Sequence, residues 1–299
     1  LIFALFVYAD FFIRRQFFTM TAPSLSLFFN SVPYICIVFI PFLCSKNSLA
    51  LYDDFIPLGG FKKILVRFFA LLIFFAFSLC LLIFPLIFIN LFFALDAGQV
   101  ILSFLFLLFY ASCLISLCLF LCELTSNQFF SFLISAVILA LCNNAHNFAL
   151  YFPNAGFLSS FFKAVSFAWH FDAASKGIFD SRDFVFFLAF TLIFLYGTFL
   201  AGEIKKGRSF TFQGKIRLFL EFFILFFCFL NSTRWYFRLD FSKDKNYSLS
   251  AYSKALLKEL DQDLNITFYR SKTLSRLYPQ IRDVSDFLNV FAMRSKKII

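Results

Sequence analysis

Residues 97–122 read AGQVILSFLFLLFYASCLISLCLFLC, a run without Asp, Glu, Lys or Arg. A helix of that length, rising 1.5 Å per residue, exceeds the ~30 Å hydrocarbon core of a bilayer. A core helix of a water-soluble domain keeps a polar face, and this run has none. Residues 68–95, 124–162 and 184–202 are likewise free of charged side chains. The chain is 61% hydrophobic with a mean hydropathy of +0.84, well above the ~45–50% apolar content of soluble domains. These runs make it an α-helical polytopic membrane protein.

Working outward, the apolar runs predict spans at 1–12, 26–44, 65–92, 100–122, 129–150 and 184–202, with a seventh at 218–236. Pro33 and Pro41 fall inside the second, tolerable where neighbouring helices satisfy the freed carbonyls. The first six spans form one domain, 1–203, and residues 204–239 are a basic loop plus the seventh. There is no secretory signal peptide with a charged start and a small-residue cleavage site. The sequence opens on Leu1 within an apolar stretch and stops at Ile299 in a β-prone one, so both ends read as incomplete.

From residue 240 the composition changes. Only four of the 55 phenylalanines lie beyond it (Phe241, Phe268, Phe287, Phe291), and charged residues recur throughout. Ser250 is placed to cap a helix over 251–260 with Leu256, Leu257 and Leu260 on one face. Residues 264–269 are β-prone, and 280–292 place Ile281, Val284, Phe287, Leu288 and Phe291 at helical spacing. Helix, strand, helix is the opening of an α/β domain.

The net charge of +10 comes from cations clustered beside apolar runs, which suits anionic lipid rather than nucleic acid. Loops 45–67 and 203–217 hold nine Lys and Arg, whereas 13–30, 96–99 and 151–183 together hold five. The bias places the first set in the cytoplasm and the tail outside it, although Arg14 and Arg15 run against it. All eight cysteines lie in or beside apolar runs without a CxxC pair, which reads as packing rather than a disulfide framework or a metal site.

Several strings carry a resemblance. Asp96-Ala-Gly98 leads into a span that ends Leu124-Thr-Ser-Asn-Gln128. His170-Phe and Lys176-Gly-Ile-Phe-Asp180-Ser-Arg-Asp183-Phe follow at the mouth of span six. Together they resemble the permease of gliding-motility-type ABC-2 transporters. Arg238-Leu-Asp-Phe-Ser-Lys-Asp-Lys-Asn-Tyr-Ser-Leu-Ser250 and Tyr278-Pro-Gln-Ile-Arg-Asp-Val-Ser-Asp-Phe-Leu288 resemble the start of that system's auxiliary protein. The resemblance implies a fusion: a permease in a bacterial cytoplasmic (inner) membrane carrying the first part of an extracytoplasmic auxiliary domain, 240–299. It further implies a homodimer or paired permease and a separate ABC ATPase subunit holding ATP and Mg. The loop before span three, Cys44-Ser-Lys-Asn-Ser-Leu-Ala-Leu-Tyr-Asp-Asp-Phe-Ile-Pro-Leu58, departs from the family by lacking its Gly-Thr and part of its acidic patch.

The chain holds no phosphate cradle of its own. Gly207-x6-Gly214-Lys215-Ile216 misses both the spacing and the final Ser or Thr such a loop needs. This argues against a motor in the chain and leaves ATP to a partner. Asp53, Asp54 and Pro57 are candidates for coupling to that partner, or a solvated acidic turn. Glu123, Asn127 and Gln128 fit a second inner loop, or end one helix and cap the next. Glu221, an acid inside span seven, is a functional candidate by default, or a helix-start Glu paired with Arg217. His170, Asp180, Arg182 and Asp183, with Asp172 nearby, form an outer-side cluster. It reads as an interfacial ionic cluster more readily than as a metal or proton-relay site. No nucleophile, base and orienting group come together, so no catalytic residue is assigned. Two rival readings remain: a non-transporting membrane scaffold for envelope or motility machinery, and a membrane enzyme built on the His170 cluster.

Overall fold

The computed structural model describes residues 2–14, 25–45, 60–92, 95–125, 127–152, 156–207, 236–243, 245, 247–259 and 263–269, and single positions at 223, 284, 287, 288, 291 and 292. Helix α1 (Ile2–Tyr8) runs into a π-helical segment, Ala9–Arg14. Then come α2 (Leu25–Ser45), α3 (Gly60–Phe92), α4 (Ala97–Leu124), α5 (Gln128–Asn143) and the short α6 (Ala145–Phe148). After a 3₁₀ turn at Ala149–Tyr151 follow α7 (Gly156–Val165), α8 (Phe167–Ser175), strand β1 (Ile178–Asp180) and α9 (Ser181–Lys205). Strand β2 (Arg238–Asp240) and α10 (Ala251–Lys258) belong to the tail. Among the described residues four helices are long and apolar enough to cross a membrane: α2, α3, α4 and α9. Ile2–Phe12 and α5 are apolar but shorter.

Each long helix outruns the apolar stretch that predicts it, because its ends are built from polar residues. Asp96 caps α4 with Oδ1 accepting from the backbone N–H groups of Gly98 (3.0 Å) and Gln99 (3.2 Å), which gives an acceptor to donors that a helix start leaves unpaired. Asp180 caps α9 in the same way. At its start α3 takes in Lys62 and Lys63, and α9 runs on through Glu203 to Lys205.

Helix α4 is the buried axis of the bundle, and its middle carries small side chains, Ala111, Ser112, Cys113, Ser116 and Cys118, all buried. Lipid tails are as apolar as a protein core, so close packing and interhelical hydrogen bonds have to hold such helices together. Phenylalanine edges do much of this. Phe109 meets Phe184 at 5.0 Å and 90°, and Phe106 meets Phe187 at 6.4 Å. The Ser112 and Thr191 hydroxyls pair at 3.0 Å between α4 and α9. Gly197 lets the Phe120 ring lie against α9, since a Cβ there would stand 3.2 Å from it.

The expected fifth span, 129–150, ends early. Helix α5 has 16 residues, about 24 Å at 1.5 Å per residue, and stops at the asparagine pair Asn143–Asn144. Its end meets Tyr110, half-way along α4, where the Tyr110 hydroxyl donates to Asn143 Oδ1 at 3.0 Å. The chain departs through α6 and α7 and resumes as α8. The Phe167 ring lies 6.2 Å from Tyr110 at the start of α8. At its end the Ser103 hydroxyl donates to the Ala174 carbonyl and the Gln99 amide to the Ser175 carbonyl. Helices α5 and α8 thus cover α4 in two pieces joined at mid-depth.

The two strands form one antiparallel ribbon, with Ile178 opposite Asp240, Phe179 opposite Leu239 and Asp180 opposite Arg238. Because β1 leads directly into α9, β2 lies at the N-terminal end of that helix. Lys205 lies at the far end, about 37 Å away for 25 residues at 1.5 Å each. Gly207 and Tyr236, the described residues on either side of that stretch, therefore stand at opposite ends of α9. In the tail, Ser250 caps α10 through the Ser253 N–H at 3.0 Å and Leu257 is buried. Of the expected helix 280–292, the described positions Val284, Phe287, Leu288, Phe291 and Ala292 are helical. The β-prone stretch 264–269 shows only an isolated bridge at Leu264; a short strand has no stability without partner strands.

Candidate functional site

At the ribbon end the turn before α4, the segment before α9 and the start of the tail lock into one collar. Asp96 does two jobs: Oδ1 caps α4, while Oδ2 accepts from the Lys243 N–H at 2.8 Å. Two glycines make the approach possible. A Cβ on Gly98 would fall 1.8 Å from the Phe241 carbonyl oxygen, so only glycine admits the tail backbone here. Gly177 has φ +83°, and its carbonyl accepts from the Phe241 N–H at 3.0 Å. On the next rung Ser181 and Phe237 exchange two bonds: Ser181 N–H donates to the Phe237 carbonyl (3.2 Å) and Phe237 N–H to Ser181 Oγ (3.0 Å).

Asp180 is the centre of this collar and is wholly buried. Arg182 grips it with two nitrogens, Nη2 to Oδ2 at 2.6 Å and Nε to Oδ1 at 3.0 Å. From the tail, Arg238 Nε approaches Oδ2 at 3.4 Å. The Arg182 guanidinium lies 3.9 Å from the centre of the Tyr236 ring, a cation–π contact that joins the same ion pair to the tail a second time. A buried carboxylate is costly unless its charge and lone pairs are met; here Arg182 of the bundle hydrogen-bonds both oxygens and Arg238 of the tail adds a second positive charge. Asp240 in turn shapes the tail, accepting from Ser242 N–H, Ser242 Oγ and, through Oδ2, Tyr247 N–H at 2.9 Å.

His170 and Asp183 belong to a neighbouring pair. His170 Nδ1 lies 2.6 Å from Asp183 Oδ1, and Nε2 lies 3.2 Å from the Ala164 carbonyl. The ring thus bridges a carboxylate on α9 and a backbone carbonyl on α7. The ring stacks on Phe186 at 3.9 Å, and the set ties α7, α8 and α9 to each other. Asp172 pairs with Lys176 at 2.9 Å. Among the described residues no three His, Cys, Asp or Glu side chains converge as a metal set.

The far end of the bundle is different in kind. Lys62, Lys63 and Arg67 on α3 and Lys205 and Lys206 at the end of α9 gather there. The buried Glu203 pairs with Lys206 at 3.2 Å, and a Cβ on Gly60 would stand 3.2 Å from its Oε1. That carboxylate therefore sits at the N-terminus of α3, where a negative charge is stabilised. Glu123 lies in the last turn of α4 close to Gly202. Asn127 is a helix cap, its Oδ1 accepting from Phe129 N–H (2.9 Å) and Phe130 N–H (3.4 Å), and Gln128 is the exposed first residue of α5. Asp53, Asp54, Pro57 and Glu221 lie outside the described residues.

The expected cluster of His170, Asp180, Arg182 and Asp183 thus stands as two pairs, Asp180 with Arg182, which the tail joins through Arg238 and Tyr236, and His170 with Asp183. Asp96, Gly98, Gln99, Gly177, Arg238 and Asp240 were not singled out as site residues from the sequence, nor was Glu203. The Asp-x-Gly turn before an apolar run was the one local signal available; the pairing of 178–180 with 238–240 leaves none.

A family described as a domain of unknown function (DUF7088) matches residues 243–299, within the tail. No curated protein and no solved structure matches the chain.

Proposed function

We propose that this chain is the membrane-spanning permease subunit of an ABC-2-type exporter, powered by a separate ATPase, with a fused extracytoplasmic auxiliary domain. The observation that carries the reading is the opposed character of the two ends. Lys62, Lys63, Arg67, Lys205 and Lys206 gather at one end, whereas at the other Asp96, Asp172, Asp180, Asp183 and Asp240 interleave with the cations. The positive-inside rule assigns the first end to the cytoplasm, which leaves the collar and the tail outside. Residues 204–239 then supply the seventh crossing, from Gly207 at the cytoplasmic end to Tyr236 at the outer one.

On this reading the cytoplasmic end is where the ATPase acts. The loop holding Asp53, Asp54 and Pro57 joins α3 at Gly60, beside Glu203, and Glu123 and Asn127 lie at the same end. A push on that loop would pass into α3 and α9 together. The auxiliary domain would start from a fixed seat on the collar and handle cargo or partners outside, with two copies of the chain pairing around the path. The reading is tested by affinity purification of the chain with a candidate ABC ATPase from the same cell. A stoichiometric complex is expected; no association in membranes or detergent would leave the scaffold reading in its place.

A further inference from the structure

We propose that the break between α5 and α8 is a binding site for the uncharged, hydrogen-bonding headgroup of an amphiphile that reaches it from the membrane. Asn143 closes α5 with no solvent exposure. Its Oδ1 accepts from Tyr110, and its backbone carbonyl accepts from Ser166 Oγ at 2.9 Å. Its amide nitrogen, a double donor, has no partner. Exchanging the amide oxygen and nitrogen does not cure this: the nitrogen would then donate to the Tyr110 oxygen and the amide oxygen would be the orphan. An unmet amide at this depth is costly, and irregular backbone at membrane depth is tolerated where it is buried in protein or lines a cavity.

The surroundings state which ligand the amide is suited to. The Ser166 hydroxyl proton goes to the Asn143 carbonyl, so the Ser166 oxygen accepts from Trp169 N–H and from His146 Nδ1 at 2.8 Å. His146 Nδ1 therefore carries a proton, and Asn143, Tyr110, Ser166 and Trp169 make an oriented set of neutral hydrogen-bonding groups. Cys36, Cys113 and Cys142 lie near Tyr110, and as thiols they are weak acceptors. Among the described residues no Asp, Glu or Arg is bonded to this set, and Lys163 lies over the Trp169 ring at 5.1 Å. A hydroxyl, ester or amide oxygen meets the free donor, whereas a phosphate or ammonium would bring a full charge to an uncharged amide. As a site for exported cargo, which rests on the export reading, the break selects a cargo that is neutral where it passes.

Trp169 reports on the site directly, since its ring lies 6.4 Å from His146. The chain carrying Trp235→Phe, in lipid nanodiscs without ATPase or nucleotide, is titrated with 1-monodecanoyl glycerol, decyl phosphate and decyltrimethylammonium. The neutral diol is expected to give a saturable change in Trp169 emission with at least about tenfold tighter binding than either ion, the factor equivalent to one hydrogen bond to a buried group. Tyr110→Phe with Asn143→Leu should abolish the response while the melting temperature holds or rises, because an unmet amide has been removed. In the unsubstituted chain, 1-monodecanoyl glycerol and not decyl phosphate should slow alkylation of Cys142 by N-ethylmaleimide. A charged amphiphile binding as tightly, a response that survives the double substitution, or absence of both response and Cys142 protection would overturn the proposal. Failure to bind an ATPase would overturn the export reading and leave this site untouched.

Discussion

Replacing Asp180 by Ala should release the tail from the bundle, and the structure sets the size of the effect. Asp180 is fully buried, and its partners Arg182 and Arg238 are only 23% and 13% exposed. Removing one member of a buried ion pair costs about 3–5 kcal/mol, because the other is left desolvated and unpaired. The lost α9 cap adds about 1 kcal/mol. Part of this is relieved as the guanidiniums turn to solvent, so a weakening of tail docking by about 3 kcal/mol is the reasoned figure, about a hundredfold in the open population. Arg238→Ala should cost far less, since Arg182 still neutralises the carboxylate. Hydrogen–deuterium exchange at residues 238–243 reads both. The expected order is a large acceleration in Asp180→Ala and a modest one in Arg238→Ala, with α4 and the rest of α9 unchanged. Equal effects from the two, or unchanged exchange at 238–243 in Asp180→Ala, would refute the view that this carboxylate is what seats the tail.

Three further outcomes follow from the same geometry. Gly98→Ala should abolish docking of residues 241–243 while leaving the bundle folded, because its Cβ would overlap the Phe241 carbonyl; normal exchange protection there would contradict the register. Phe179→Cys with Leu239→Cys should cross-link on mild oxidation, since opposed residues in an antiparallel ladder lie ~4.5–5.5 Å apart and disulfides need ~4.4–6.8 Å; gel mobility under non-reducing conditions checks this against each single variant. Replacing Asp53, Asp54 and Pro57 together should reduce recovery of the ATPase in pull-downs, and unaltered recovery would remove that loop from the coupling surface.

The crossings were largely legible because lipid imposes one rule, that a span be apolar on all faces. The runs 26–44, 100–122 and 184–202 found α2, α4 and α9, and erred by no more than three residues at either end, where side chains such as Asp96, Asp180 and Glu203 interrupt the apolar pattern. The early stop of α5 had a signal, Asn143, Asn144 and Asn147 within five residues, but composition averaged across the span hides it. Ser250 was legible as a cap for a local reason: one side chain meets a backbone group three residues on. The collar was legible only in part. His170, Asp180, Arg182 and Asp183 lie within fourteen residues of each other and look like a cluster, whereas Arg238, far along the chain, reaches Asp180 only through the pairing of β1 with β2. Asp96 reads locally as a cap, and its second bond, to Lys243, is a property of the assembled fold alone.

The most direct test of the account is ATP turnover by a candidate ABC ATPase from the same cell, reconstituted in proteoliposomes with and without this chain. The account predicts that the chain raises turnover several-fold and that the Asp53, Asp54 and Pro57 replacements remove the increase. Turnover indifferent to the chain would contradict it and leave a membrane anchor for the tail.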